Sequence, residues 1–465
     1  MCISMLHSLF VTFFIDYVLQ HELHSKAGDA NATMTYFAIG QVFYAICNAA
    51  NDLGFGWIGD TVFTVIAHRR VDRIRFGGPL WAASFAVLWW PLQLPLHPAI
   101  QFTLLMILYD TFFSLTTVSF RALLTDTASS SREREKCNAS AAIFHLIGSS
   151  GVVFATFFYN ENSKDGHGQF RVFMTFWALA AGSGFLLFGK RTKETELSPT
   201  TSKEGFPARG LWGFATQTLS RRSMRVAAGV WAVQEYSCTF ASNFFNLFVA
   251  VACADLVSPL MRSAVLFLSF VLPHFFTVAV TPLLPTVGKK TVIAAAFGLR
   301  VVLGISILSL TFARDDDGSI SRGARSTFMW QILLNRVLTE VVCRLQPLVL
   351  SDLTDEDTVT FARPHSMAAA MHGLVSVTSK PFQSVAPVVT CYILAAHGII
   401  LDDMQPSGRP QSGHIDVLVH LVGTTVVGTS AAMLVVWLKW YDLDGPRLLR
   451  VQSALERRVG SLQEV

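Results

Sequence analysis

The sequence predicts an all-α polytopic membrane protein of twelve helices in two six-helix halves, and three observations carry that reading. The first is composition. Of 465 residues 52% are apolar and only 15% charged, against about 25% charged in a soluble domain, and mean hydropathy is +0.45. The second is the recurrence of apolar runs long enough to cross a bilayer, each of which must be helical because lipid leaves no partner for open backbone groups. The third is where the remaining charge falls. A disordered chain, a disulfide scaffold and an ordinary soluble enzyme are all excluded. A net charge of +4 gives no reason to expect nucleic acid.

The runs lie at 1–19, 33–56, 79–95, 99–123, 139–159, 170–188, 225–252, 260–285, 290–312, 327–350, 367–395 and 415–438. The first is expected to be a short span, with the chain beginning inside it. It lacks the basic start and small-residue cleavage site of a signal peptide. The longest polar stretch separates the sixth run from the seventh. It defines a linker over 190–224 between an N-terminal half (1–189) and a C-terminal half (225–440), followed by a tail (441–465). With the N-terminus inside, and with the span-edge residues Arg171, Arg225, Arg262 and Lys290 counted with the adjoining loops, 23 of the 36 Lys and Arg lie on the cytoplasmic side and five within spans. The positive-inside rule therefore places both termini in the cytoplasm of a multi-pass protein, with the plasma membrane favoured. Seven scattered cysteines show no metal or redox spacing and read as packing residues.

The ends of the fourth and tenth runs, LLTDT and LVLSDLTDED, are alike around Asp126 and Asp352. Being six runs apart, they suggest two related halves.

Ionisable groups at membrane depth are costly and face a cavity or a partner. In the second span Gln41, Tyr44, Asn48, Asn51 and Asp52 recur at helical spacing on one face. A carboxylate with two amide oxygens one turn apart offers hard ligands for a small cation or a proton; such groups also hydrogen-bond between helices merely to pack them. The fourth span repeats the pattern with Asp110, Ser114, Thr117 and Arg121, and the eleventh carries His372, Ser376, Lys380, Gln383 and Ser384. Lys380 needs a counter-charge or a wet cavity, and Asp52 and Asp110 are its candidates. Such a salt bridge serves transport or structure. The seventh span offers Glu235, Thr239, Asn243 and Asn246, and the tenth Asn335, Arg336, Glu340 and Arg344. In the last group two arginines flank one carboxylate at i,i+4 and are expected to neutralise it in large part. Arg300 is expected near a partner or snorkelling, and His145 and His274 read as single packed histidines. No phosphate loop, HExxH or nucleophile elbow occurs, so neither an enzyme nor a cofactor is expected.

NDLGFGWIGD (51–60), the basic HRRVDRIRFGGP after it, LLTDTASSSRERE (123–135), LSDLTDED (350–357) and TSKPFQSVAP (378–387) occur in an order that resembles the melibiose-permease-like branch of the major facilitator superfamily. The resemblance implies that fold and a cation-coupled symporter of small organic solutes, carbohydrates in the sugar symporters, working by alternating access. It also implies a coupling-cation site at Asn48, Asn51, Asp52 and Ser114. Lys380 would bridge that site to the substrate. The polar stripes themselves offer Asp110, Thr117, Glu235, Asn243, Arg336, Glu340 and Gln383 as further substrate or coupling groups. The expected partners are a solute, its coupling cation (H+ or Na+) and the bilayer, with the protein monomeric. The sequence departs from the symporters in four places. Asn48 replaces a second carboxylate, Leu53 a proline, Thr117 a sugar-binding aspartate, and Ala141 or Ala142 an arginine. Those losses leave two other readings: a transport-inactive relative serving as receptor or scaffold, and a lipid or lysolipid transporter.

Overall fold

The computed structural model describes residues 1–17, 30–61, 70–90, 95–128, 130–159, 167–192, 210–253, 255–316, 318–363, 366–399 and 412–463. Among the described residues each predicted span lies mainly on helix, although the third leaves helix after Leu88 and residues 18–19 and 91–94 lie outside the described residues. The first half of the chain holds α1 (Cys2–Tyr17), α2 (Ala30–Thr61), α3 (Arg70–Leu88), α4 (Pro98–Thr127), α5 (Ser131–Ser149), α6 (Gly151–Phe158) and α7 (Gly168–Arg191). The second half holds α8 (Gly210–Ser220), α9 (Arg222–Asn243), α10 (Phe245–Cys253), α11 (Pro259–Val280), α12 (Leu284–Val287), α13 (Lys289–Ser309), α14 (Arg322–Thr360), α15 (Ala368–Ala396), α16 (Ser412–Trp440) and α17 (Gly445–Gln463).

Local chemistry sets the ends. Ser130 accepts from the Glu133 amide and Glu133 from the Ser130 amide, a reciprocal cap that starts α5. Pro98 and Pro259 open α4 and α11, where a missing N–H costs nothing. The predicted edges move in three places. The basic segment after the second span is not all loop, because Arg70–Phe76 already belong to α3. The tenth span runs on to Thr360, carrying the acidic LSDLTDED into the helix. The linker contains α8, while its residues 193–209 lie outside the described residues.

By length and composition six helical segments among the described residues could cross a bilayer, or seven if α9 and α10, bent by 48° at Phe244, form one span. Among the helices outside that count, α2, α14 and α15 carry the polar stripes described above. Their interior faces are too polar for a simple apolarity test because they wall the polar core. The outer surface is the reverse. Val172, Phe176 and Leu179 on α7, and Leu299, Val302 and Ile305 on α13, are all more than half exposed. Apolar side chains repeated along the outer face of a helix fit a hydrocarbon solvent.

The packing between the halves is closest along α2 and α15. A Cβ on Gly56 would stand 2.3 Å from the Ala369 carbonyl oxygen, and one on Gly373 2.5 Å from that of Asp52. Only glycine allows backbones this near. Elsewhere aromatic rings fill the first half, with Trp81, Tyr109 and Phe113 in mutual contact and Phe14, Trp89 and Phe170 beyond them.

The acidic end of α14 gathers one end of the bundle. Asp352 accepts from Lys289 (2.6 Å), Asp355 from Arg134 (2.5 Å), Glu356 from Arg221 (2.9 Å) and Arg447 (2.6 Å), and Asp357 from Arg363 (3.0 Å). One short acidic segment thereby ties α5, α8's exit, α13 and α17 together. Asp126 at the end of α4 meets Arg70 at the start of α3, just as Asp352 on α14 meets Lys289 at the start of α13. The two look-alike segments thus hold equivalent contacts six spans apart.

Of these pairs Arg134–Asp355 joins the two halves of the chain. Arg134→Asp should lower the thermal midpoint, because breaking a buried pair costs about 3–5 kcal/mol. Adding Asp355→Arg should restore part of the loss, read by fluorescence-detected size exclusion after heating. An exchange that restores nothing would mean the pair is not what joins the halves there.

Candidate functional site

Near the middle of α4 and α15 the polar stripes converge on one ammonium. Lys380 on α15 reaches Asp52 on α2 at 3.1 Å and Asp110 on α4 at 3.7 Å, and donates to the Asn48 side-chain oxygen. Its fourth neighbour is the face of Phe113, 5.4 Å from the ring centre. All four polar groups are buried. Asn51 and Ser114 do not touch the lysine. Asn51 donates to Thr111 (3.1 Å) and to Asp110 (3.4 Å), and Ser114 and Tyr44 reach Asp110 at 3.4 Å each.

Two expectations change here. The loss of a carboxylate at Asn48 does not leave one negative charge, because Asp110 brings a second from α4, a different helix from the one that carries the motif. A lysine ammonium also stands among the groups assigned to a cation. Asn48 and Asp52 spend an oxygen each on Lys380, and among the described residues no three His, Cys, Asp or Glu side chains gather into a metal-binding group.

Beside this cluster lies a cavity of about 830 Å³, walled by both halves. Thr117, Glu235, Asn243, Arg336, Glu340 and Gln383 line it; Asn48, Asn51, Asp52, Asp110, Ser114 and Lys380 do not. The predicted site residues therefore fall into two groups, a charged cluster and a solute-sized chamber. Phe113, which lines the chamber and covers Lys380, stands between them.

The chamber corrects the reading of the tenth span. Arg344 pairs with Glu340 at 3.7 Å, but Arg336 forms no pair with it. Arg336 instead donates to the carbonyls of Ser242 (2.9 Å), Ser269 (3.2 Å) and Ala241 (3.3 Å) and stacks over Phe270 at 4.4 Å. The bend at Phe244 ends α9 and leaves its last carbonyls without helical partners. A buried guanidinium satisfies them. Arg300 is likewise fixed by neutral groups, Asn335 at 3.2 Å and Gln234 at 3.3 Å.

Sequence reasoning named His372 within the polar stripe of α15 and took His145 and His274 as single packed residues, but missed His7 and the meeting of the other two in this chamber. His145 from the first half and His274 from the second stack at 5.8 Å with planes 14° apart, so they are not single packed residues. His7, stacked on Phe113 at 5.3 Å, and His372 line the same chamber. For His7 and His274 the available signal was a lone imidazole on an otherwise apolar helix.

The polar cluster, the chamber between halves and the equivalent contacts at Asp126 and Asp352 agree with the family comparison. Residues 1–445 match the family described as MFS/sugar transport protein. The chain belongs to this family. Among curated relatives, Transmembrane protein 180 of Mus musculus is 30% identical over 427 residues, covering 84% of this chain and 77% of that one. Its counterpart in Gallus gallus is 27% identical over 429 residues, covering 85% and 79%. In the solved structures the backbone resembles a mutant of the nucleoside transporter NupG, with TM-score 0.57, 12% identity, and coverage of 95% of this chain and 98% of that one. It also resembles a bacterial homologue of the iron transporter ferroportin in an outward-facing state, with TM-score 0.55, 13% identity and coverage of 94% and 98%. At such identities the likeness establishes the shared fold and nothing about cargo.

Proposed function

We propose that the chain is a secondary transporter that couples a small organic solute to an inward-moving proton. The observation that carries this reading is the unequal charge of the buried cluster. Asp52 and Asp110 supply two carboxylates and Lys380 one ammonium, so one negative charge is left over in a low dielectric, where it is costly. A single bound proton cancels it. Asp110 is the better proton acceptor of the two, being farther from Lys380 and held by three hydrogen bonds that are each 3.4 Å long. The commitment of Asn48 and Asp52 to the lysine favours a proton over sodium, which wants several free oxygens.

Coupling needs the cluster to sense the chamber, and Phe113 and the α15 residues His372 and Gln383 touch both the chamber and the helix that bears Lys380. Alternating access then amounts to movement of one half against the other around a chamber that both halves wall. The excess of basic residues in the loops of one side supports cytoplasmic termini.

The test is uptake into proteoliposomes of radiolabelled solute pools with and without an inward proton gradient. Wild type should concentrate a pool only with the gradient, and Asp110→Asn should equilibrate it without concentrating it. Uptake indifferent to the gradient would remove the coupling, and no uptake of any pool would remove transport.

A further inference from the structure

The charges lining the chamber can be accounted for one by one. Asp126 is held by Arg70, Arg344 by Glu340, and Arg336 by three backbone carbonyls. Two remain. Arg121 on α4 and Glu235 on α9 both line the chamber, and neither forms a hydrogen bond or ion pair with another described residue. They belong to opposite halves of the chain, carry opposite charge, and do not meet, since no contact within 4.0 Å joins them. The rest of the wall mixes neutral polar groups with a larger apolar surface that includes Ile3, Val11, Phe113, Phe120 and Phe270.

We infer that the chamber binds a zwitterionic solute with an apolar body, its anionic group on Arg121 and its cationic group on Glu235. This deepens the transporter reading, on which it rests. Ionisable side chains that face a cavity among membrane helices mark solute pathways, and an arginine fork suits a carboxylate. A neutral sugar would leave both charges without a counter-charge, and a simple anion or cation would satisfy only one. A solute bridging α4 and α9 also touches both halves at once. It therefore binds better when the halves approach than when either side gapes, which is the differential affinity that a conformational cycle requires.

Three probes of similar size and different charge test the assignment: L-phenylalanine, 3-phenylpropionate and 2-phenylethylamine. Each is added at the same millimolar concentration to the purified full chain in detergent, and the thermal midpoint is read. L-Phenylalanine should raise the midpoint at least twice as far as either analogue. Arg121→Gln should abolish its advantage over 2-phenylethylamine, and Glu235→Gln its advantage over 3-phenylpropionate. Neither side chain is bonded to another described residue, and the ligand-free melts of the variants check that both still fold. Equal shifts from the three probes, no shift from any, or an unchanged preference in both variants would overturn the inference. The proteoliposome assay separates the two readings. A chain that moves solutes but treats the three probes alike keeps transport and loses the zwitterion site. One that prefers L-phenylalanine yet moves nothing keeps the site and loses transport.

Discussion

Lys380→Met should be among the most damaging single substitutions in this protein. It removes the ammonium between Asp52 and Asp110 and leaves two carboxylates facing each other away from water. Removing one partner of a buried ion pair costs about 3–5 kcal/mol, and here the loss also strands a second acid. The thermal midpoint should fall steeply. The double variant Asp52→Asn with Lys380→Met should recover much of that fall, because it cancels one charge along with its partner. A thermodynamic cycle over wild type, the two single variants and the double variant isolates the coupling, and gradient-driven uptake should be absent in all three variants. If Lys380→Met melted at the wild-type temperature, the ammonium would not be the charge that holds the two carboxylates together.

Gly373→Ala should be the second large effect, and it needs only one methyl group. The new Cβ would stand 2.5 Å from the Asp52 carbonyl oxygen and 2.8 Å from the Leu53 Cα. Both are backbone atoms, so no rotamer change relieves the overlap and α15 must move off α2. Overpacking of this kind costs about 1–3 kcal/mol, and the movement also pulls Lys380, seven residues along α15, from Asp52. Gly428→Ala on α16 is the control, since nothing lies within 4 Å of its Cβ position. Alanine there should hold or raise stability, by about 1 kcal/mol at most, through helix propensity. Melting temperatures of the two variants read the difference. A Gly373 variant as stable as the Gly428 variant would mean that the α2–α15 approach is looser than described.

How far the sequence could be read depended on whether a contact was local. The polar stripe of α2 was legible because Gln41, Tyr44, Asn48 and Asp52 follow a helical repeat, and all four are buried. Lys380 was legible as a charge in need of a partner, and both nominated acids are beside it. The pairing of Arg336 was misjudged because i,i+4 spacing shows only that two side chains share a helix face. It does not show that a bend in α9 has freed two carbonyls, Ala241 and Ser242, which together with that of Ser269 on α11 compete for the guanidinium. The acidic run of LSDLTDED read as the close of a helix, while its four carboxylates each take a base from elsewhere in the chain. His145 and His274 are 129 positions apart, and no periodicity within either helix could bring them into register.

The sequence by itself determined that this chain is a bundle of membrane helices with a polar interior, and which helices carry the polar faces. Hydropathy and helical period are properties of neighbouring residues, and lipid enforces them strongly because open backbone has no partner there. The tertiary structure decided how the interior charges are shared. It set Lys380 against two acids, spent Arg336 and Arg344 on other groups, and left Arg121 and Glu235 facing one chamber. Such choices depend on which helix stands opposite, and electrostatic pairing across several ångströms leaves no trace in the order of residues along either helix.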